Sequence, residues 1–497
     1  MVDICEPPYA NWHEILKINL ASRTERELAL GAPRFKAIRD QLLSRAISYT
    51  KSLVDLARAK GLTEITAPTE NQTQVEKIVM TGHQPVIYHP GLLYKLEVSR
   101  RFSRDTGAVP VQVVIDTDEG EAGSISWPLV SAGNLEIKRA SIGSDGGTDS
   151  LYSEQRVADG DTVTRVFDQI IEDLKTSGLE QVASRVVEVK SAYVALAGES
   201  LIAANSIVRW LFSDTAMLEV PLSELLKVDE FKAVLEGFYS DAPRLVETYN
   251  ATLDSYRKEH RISNAANPFP NMKIDQRGTE VPLWRILKGT RSPVFNKSDL
   301  PSPVEDDGGF LATRGSLTTL LLRAYCSDLF VHGLGGGKYD RFVEQFAKSY
   351  LGVTLPTFVV ASRTVSLFPE KVAKLSREVE LASNVKEMTS KTELFLGQGI
   401  FTEEEERQLK GIITKRDELR LKLQGPIESD QRSVVSRELS EENRKARGII
   451  EQGSLKPIIA SAAANEALLA RWSFREFPFF YRNYSPDFLD RCIYSIA

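Results

Sequence analysis

Residues 75–120 read VEKIVMTGHQPVIYHPGLLYKLEVSRRFSRDTGAVPVQVVIDTDEG. A run of strand length, Val75–Met80, leads straight into Thr81–Gly82. Leu92–Phe102 then has helical spacing, and Val109–Ile115 returns to β-branched residues before an acidic end at Asp116-Thr117-Asp118-Glu119-Gly120. Strand, glycine turn, helix, strand and polar end is the pattern of a βαβ unit, because parallel strands need a crossover and buried strands read as short apolar runs. The pattern returns late in the chain. Ser316–Tyr325 predicts a helix, Asp328–His332 a strand, Gly333–Gly337 a turn, Tyr339–Tyr350 a helix and Thr357–Ala361 a strand. Two such halves predict an α/β fold with a Rossmann-like parallel sheet.

The remaining segments attach to that core. Residues 1–75 predict helix, with a turn-rich stop at Ala67–Asn71. The stretch from 130 to 290 predicts a mainly helical insertion over the mouth of the sheet, with loops at Ser141–Asp149 and Asn264–Gln276. Residues 370–460 are rich in Glu, Lys and Arg and carry a thin apolar seam at Leu409, Ile412, Ile413 and Leu419, with a break at Gly425-Pro426. That is the composition of an antiparallel coiled-coil hairpin. Trp472–Tyr484 is densely aromatic and reads as a tail docked on the core. The expected organisation is a core from 1–130 and 300–368, a connecting insertion at 131–299, a hairpin at 369–460 and the tail at 461–497.

Composition narrows the class. Hydrophobic residues make up 42% and charged residues 26% of 497, which is globular rather than disordered. No run approaches the roughly 20 apolar residues of a membrane-spanning helix. The start of the chain lacks the basic and apolar stretches of a signal peptide, so a cytoplasmic protein is expected. Three scattered cysteines exclude a disulfide framework, and Cys326 sits in an apolar helix end, where burial is the expectation. A net charge of −6 lacks the basic excess of a nucleic-acid binder. The expected partner is a small molecule.

Four segments carry candidate chemistry. Gly82, His83, Gln84 and His89 stand where a strand ends and a helix begins, the place where open parallel sheets bind ligands. Backbone amides there favour anions, and His83 is expected to donate to a phosphate or carboxylate. A helix-capping turn is the alternative. Asp116 and Asp118 suit a magnesium ion, an amine or a ribose hydroxyl. His332, Gly333, Gly335, Gly336 and Lys338 form a candidate phosphate cradle without the spacing of a Walker A loop or a dinucleotide fingerprint. Arg363, just after a late strand, and Arg314, near a helix start, are candidate clamps for phosphate or carboxylate.

In this order the segments resemble the bacillithiol-biosynthesis cysteine-adding enzyme family. VMTGHQPVIYHPGLLYK resembles its TGQQ-type turn and GPLYT-like stretch, with His83 where the family commonly has Gln. VVIDTDEGE resembles its SEDHD-type strand end, without the histidine, and FVHGLGGGKYD resembles its YVGGPGEIAYW stretch. VVASRTVSL resembles its Pro-Arg strand end, and FFYRNYSPDFL its FLARYGPDLL end. The likeness covers about 78–130, 310–367 and the tail. It implies a core of the nucleotidyl-transferase and class I synthetase type, a coiled coil that assists dimerisation, and ADP-like nucleotide binding; ATP or ADP with magnesium is the expected cofactor. It implies amide bond formation between cysteine and a glucosamine-malate, since a free carboxylate must be activated before an amine can attack it.

On that reading Gly82, His83 and Arg363 hold anionic groups, and Asp116 or Asp118 holds the amine or a metal. A second reading is a metal-dependent hydrolase or transferase using His83, His89, Asp116, Asp118 and His332. A third is a non-catalytic assembly protein built on the coiled coil.

Overall fold

The computed structural model describes residues 2–63, 77–144, 150–264, 267–297 and 308–478. The chain separates into two compact units, one formed by Met1–Val365 with the segment from Arg475, the other by Ser366–Phe474.

The first unit begins with β1 (Val2–Glu6), α1 (Trp12–Ala21), α2 (Arg23–Leu30), α3 (Ala32–Ala59), β2 (Ile78–His83), α4 (Pro90–Thr106), β3 (Val109–Val114), β4 (Ser124–Ser131) and β5 (Asn134–Ser141). It continues with α5 (Gly160–Thr176), α6 (Glu180–Ala195), α7 (Leu201–Phe212), β6 (Leu218–Pro221), α8 (Leu222–Leu226), α9 (Asp229–Ser240) and α10 (Ala242–Glu259). Next come β7 (Ile274–Asp275), β8 (Gly278–Leu287), β9 (Thr290–Asn296), β10 (Phe310–Thr313), α11 (Gly315–Leu321), β11 (Leu329–His332), α12 (Leu334–Leu351) and β12 (Val359–Thr364).

Six strands form the central sheet in the order β1-β12-β11-β2-β3-β6. Five run parallel, and β1 pairs antiparallel with β12. From β2 the chain steps to β3 and β6 on one side, while β11 and β12 lie on the other. The winding therefore reverses between β2 and β11. Both faces are covered, as the pleat shows: Ile78, Met80 and Phe330 join one apolar cluster, and Val79, Leu329 and Val331 the opposite one.

Local chemistry sets the ends of the helices that matter. At the start of α4, Nδ1 of His89 accepts a hydrogen bond from Gly91 N at 3.1 Å, and Pro90 takes the first turn, where its missing N–H costs nothing. The helix stops at Gly107, left-handed with φ 67°, and α12 stops in the same way at Gly352 with φ 70°.

The second unit holds α13 (Pro369–Ser383), α14 (Val385–Ser390), α15 (Glu403–Gln424), α16 (Ser429–Gln452), α17 (Lys456–Ala460) and α18 (Ala462–Trp472). Thr402 and Glu405 form a reciprocal capping box at the start of α15. Leu409 and Ile412 of α15 pack with Ala446 and Ile450 of α16 in one apolar cluster.

The structure is a mixed α/β fold with a parallel sheet, and it departs from the sequence reading in three places. The first 75 residues are not all helix: Val2–Glu6 is an edge strand, fixed by pairing with residues near 362. The stretch from 131 to 299 is not only helix: it supplies β6 to the central sheet and most of a separate antiparallel sheet in the order β10-β8-β7, with β9 on β8. Residues 461–474 belong to the second unit. The turn at 67–71, the loop residues 145–149 and the tail from 479 lie outside the described residues.

Candidate functional site

A cavity of about 500 Å³ opens where β2, β3, β11 and β12 end and α4, α11 and α12 begin. It sits at the reversal of winding between β2 and β11, where loops leave in opposite directions and open a crevice. Gly82, His83, Gln84 and His89 all line it, as do Asp118, His332, Gly333, Gly335, Gly336 and Arg363.

Two histidines at the first turn have their tautomers set by neighbours. His83 Nδ1 lies 3.1 Å from the Gln84 carbonyl oxygen, which can only accept, so Nδ1 carries the proton and Nε2 is left as an acceptor. Burial, then the nearby charge of Lys95, lowers the His83 pKa to about 3, so the ring is neutral at physiological pH. This reverses the expectation that His83 donates to an anion. His89 is the complement: Nδ1 accepts from Gly91 N, so Nε2 carries the hydrogen and is a donor. Burial lowers its pKa as well.

Lys95 also lines the cavity, and the sequence reading passed over it. It is 2% exposed, and its Nζ donates to the Gly82 carbonyl oxygen at 2.9 Å. Among the described residues no carboxylate lies within ion-pairing distance of it. Burial lowers its pKa to about 7. The available signal was its register: Lys95 follows Gly91 by four residues and Leu92 by three, and precedes Ser99 by four, on a buried face of α4.

The acidic strand end divides. Asp116 is 2% exposed and does not line the cavity. Its carboxylate accepts from Ser223 N at 2.9 Å and Ser223 Oγ at 2.5 Å, holding the start of α8. Burial raises its pKa to about 6. Asp118 does reach the cavity, where it accepts from Gln84 Nε2 at 3.2 Å and Arg291 Nη1 at 2.7 Å. Arg291 also pairs with Glu119 at 2.8 Å and stacks over Trp284, so β9 braces the strand end.

At the second turn, His332 Nε2 lies 2.8 Å from Asp340 Oδ2, and Arg323 Nη1 reaches the same oxygen at 2.5 Å. A carboxylate accepts, so Nε2 carries the hydrogen. Burial works to raise the Asp340 pKa, but the Arg323 charge and His332 outweigh it and hold the carboxyl below the usual range. Gly333, Leu334, Gly335 and Gly336 present the start of α12 to the cavity, with no side-chain cap. The first amides of a helix have no intrahelical acceptor, so these N–H groups are available to an anion.

Three expected contributors act elsewhere. Lys338 does not line the cavity, and its carbonyl accepts from Tyr256 OH at 2.7 Å. Arg314 is likewise outside, paired with Glu280 at 2.9 Å and stacked on Trp284. Arg363 lines the cavity, but its guanidinium forks onto Asp3 at 2.7 and 3.0 Å and stacks on Tyr94, which ties β12 to β1. Arg475 and Glu476, in a segment that sequence reasoning takes only as aromatic, are lining residues that it missed.

Among the described residues no three His, Cys, Asp or Glu side chains converge to hold a metal ion. His83, His89, Asp116, Asp118 and His332 are not brought together as one such group. No helix in the described residues is long and apolar enough to cross a membrane. The cavity thus has donors at Lys95, His89 and the start of α12, and acceptors at His83 and Asp118. No protein-family model matches the sequence, and a search of curated proteins finds no match.

Proposed function

We propose that the chain is an enzyme with a Rossmann-like core that joins a small carboxylate to an amine in this cavity. The observation that carries the reading is Lys95. A buried ammonium without a counter-carboxylate is costly, and an anionic ligand is what would compensate it. The His89 Nε2–H and the open amides of α12 extend that donor surface. Asp118 and the His83 Nε2 lone pair supply acceptors for an amine. A substrate pair with one anionic and one amine group matches this division.

ATP, when bound, supplies the activation that a free carboxylate needs. Lys95 and the start of α12 would hold its phosphate groups. Magnesium would come with the nucleotide and need only one or two protein carboxylates, of which Asp118 is the one at hand. The residues of the chain orient the amine, shield the site from water and hold its proton near His83.

The motif likeness makes cysteine and a glucosamine-malate the substrates to try first. The seam between α15 and α16 supports reading that pair as a coiled-coil hairpin, which would assist a homodimer. The test incubates the full-length protein with L-cysteine, the glucosamine-malate and magnesium ATP and follows the amide product by mass spectrometry. Product that disappears with Lys95→Met supports the reading. No product, with no binding of either substrate, overturns it.

A further inference from the structure

Lys95 has a chemical property beyond its charge. Its Nζ contacts the Gly82 carbonyl oxygen and lines a cavity of about 500 Å³, and among the described residues no carboxylate pairs with it. The titratable neighbours whose charge is felt with it are His83 and His89, on β2 and at the start of α4. One presents an acceptor nitrogen and the other a donor. A lysine with a pKa of about 7 spends about half its time as a free amine at neutral pH, whereas an ordinary surface lysine does so at roughly one part in three thousand.

We propose that Lys95 is a nucleophile that forms an imine with a small oxo acid admitted to this cavity. The Nζ lone pair attacks the carbonyl carbon. The attacking nitrogen passes one proton by way of His83 Nε2 to the alkoxide oxygen, which the His89 Nε2–H steadies by a hydrogen bond, leaving a neutral carbinolamine. The second nitrogen hydrogen follows the same route to the hydroxyl, which departs as water and leaves C=N. One C=O bond and two N–H bonds are exchanged for C=N and water, with no oxidant or reductant. The carboxylate of the oxo acid meets the amides at the start of α12. This rests on the cavity as a ligand site and not on amide formation.

The test treats the full-length protein at pH 7 with pyruvate and cyanoborohydride, then maps adducts by peptide mass spectrometry. The expected result is one reduced adduct, on Lys95, at a yield at least about tenfold above any other lysine. Lys95→Arg keeps the charge without a free amine at this pH, and it removes the adduct. Adducts spread over other lysines with Lys95 unlabelled would overturn the proposal, and that result needs only the wild-type chain. Labelling of Lys95 without amide product in the ligation assay removes the ligase reading and leaves the imine. Amide product with Lys95 unlabelled does the reverse.

Discussion

A Cβ placed on Gly336 would stand 2.7 Å from Nδ1 of His332, closer than such atoms approach without something shifting. The glycine therefore makes room for a histidine that Asp340 holds from its other side. Helix propensity alone favours alanine over glycine by roughly 1 kcal/mol. Gly335 has nothing within 4 Å of its Cβ position, so Gly335→Ala should be neutral or slightly stabilising. Gly336→Ala should cost about 1–3 kcal/mol, the range for overpacking, and displace His332 from Asp340. Urea denaturation of the two variants checks this, and equal stabilities would contradict it.

His83→Ala should keep the fold and weaken L-cysteine binding. A lost hydrogen bond to a charged group costs roughly 1.5–3 kcal/mol, about ten- to hundredfold in affinity. Alanine at His13 or His260, which do not line the cavity, should leave binding as in wild type. Calorimetric titration beside a melting curve separates the roles: unchanged affinity with a lower melting temperature would make His83 structural. Its folded pKa of about 3 lies below the ordinary 6.5, so the unfolded chain takes the proton first. The His83 contribution to stability is therefore present above 6.5 and declines as pH falls from there toward 3.

Asp116 runs the other way. Its folded pKa of about 6 stands above the ordinary 3.8, so the folded chain takes the proton first and gains stability as pH falls from 6 toward 4. The cost of ionising it in place is on the order of 3 kcal/mol. Asp116→Asn should remove that slope, gaining on wild type at pH 8 and losing the advantage by pH 4. Parallel slopes for the two proteins would show that the Asp116 carboxylate is not strained by burial.

Residues 366–474 should fold on their own. Their apolar cluster joins Met388, Leu409, Ile412, Ala446 and Ile450 within that segment. A fragment of these residues should give a helical circular dichroism spectrum with a cooperative melt. Replacing them by a linker should weaken self-association on size exclusion. A fragment without a cooperative melt would contradict the division at Val365.

The parallel core was legible because VEKIVM, VPVQVVI and TFVVA are short apolar runs bounded by glycine or acidic turns. β6 was not, because LEVP is four residues long and carries Glu219. That carboxylate is buried and held by Arg209, by Ser206 Oγ at 2.6 Å and by Trp210 Nε1 at 2.9 Å. Such compensation is tertiary and leaves no local mark. The hairpins β4–β5 and β8–β9 turn on Ala132-Gly133 and Lys288-Gly289, with both residues of each pair at positive φ. A turn of this kind usually announces itself as Asn-Gly, and alanine and lysine hid it. In the site, contiguous glycines and histidines were visible from the sequence. Lys95 offered only its register, because the packing of α4 is what leaves its charge without a carboxylate partner among the described residues.

The most direct test of the ligand crevice uses the five histidines of the chain as reporters. Side-chain ¹H–¹⁵N correlation spectra would be followed during titration with magnesium ADP and then L-cysteine. His83, His89 and His332 line the cavity, while His13 and His260 do not. The account predicts that the first three move and the other two stay in place. It also predicts that His83 reports a proton on Nδ1 and His89 one on Nε2 before any ligand is added. Five unmoved histidines at millimolar ligand would contradict the claim that this crevice is the site.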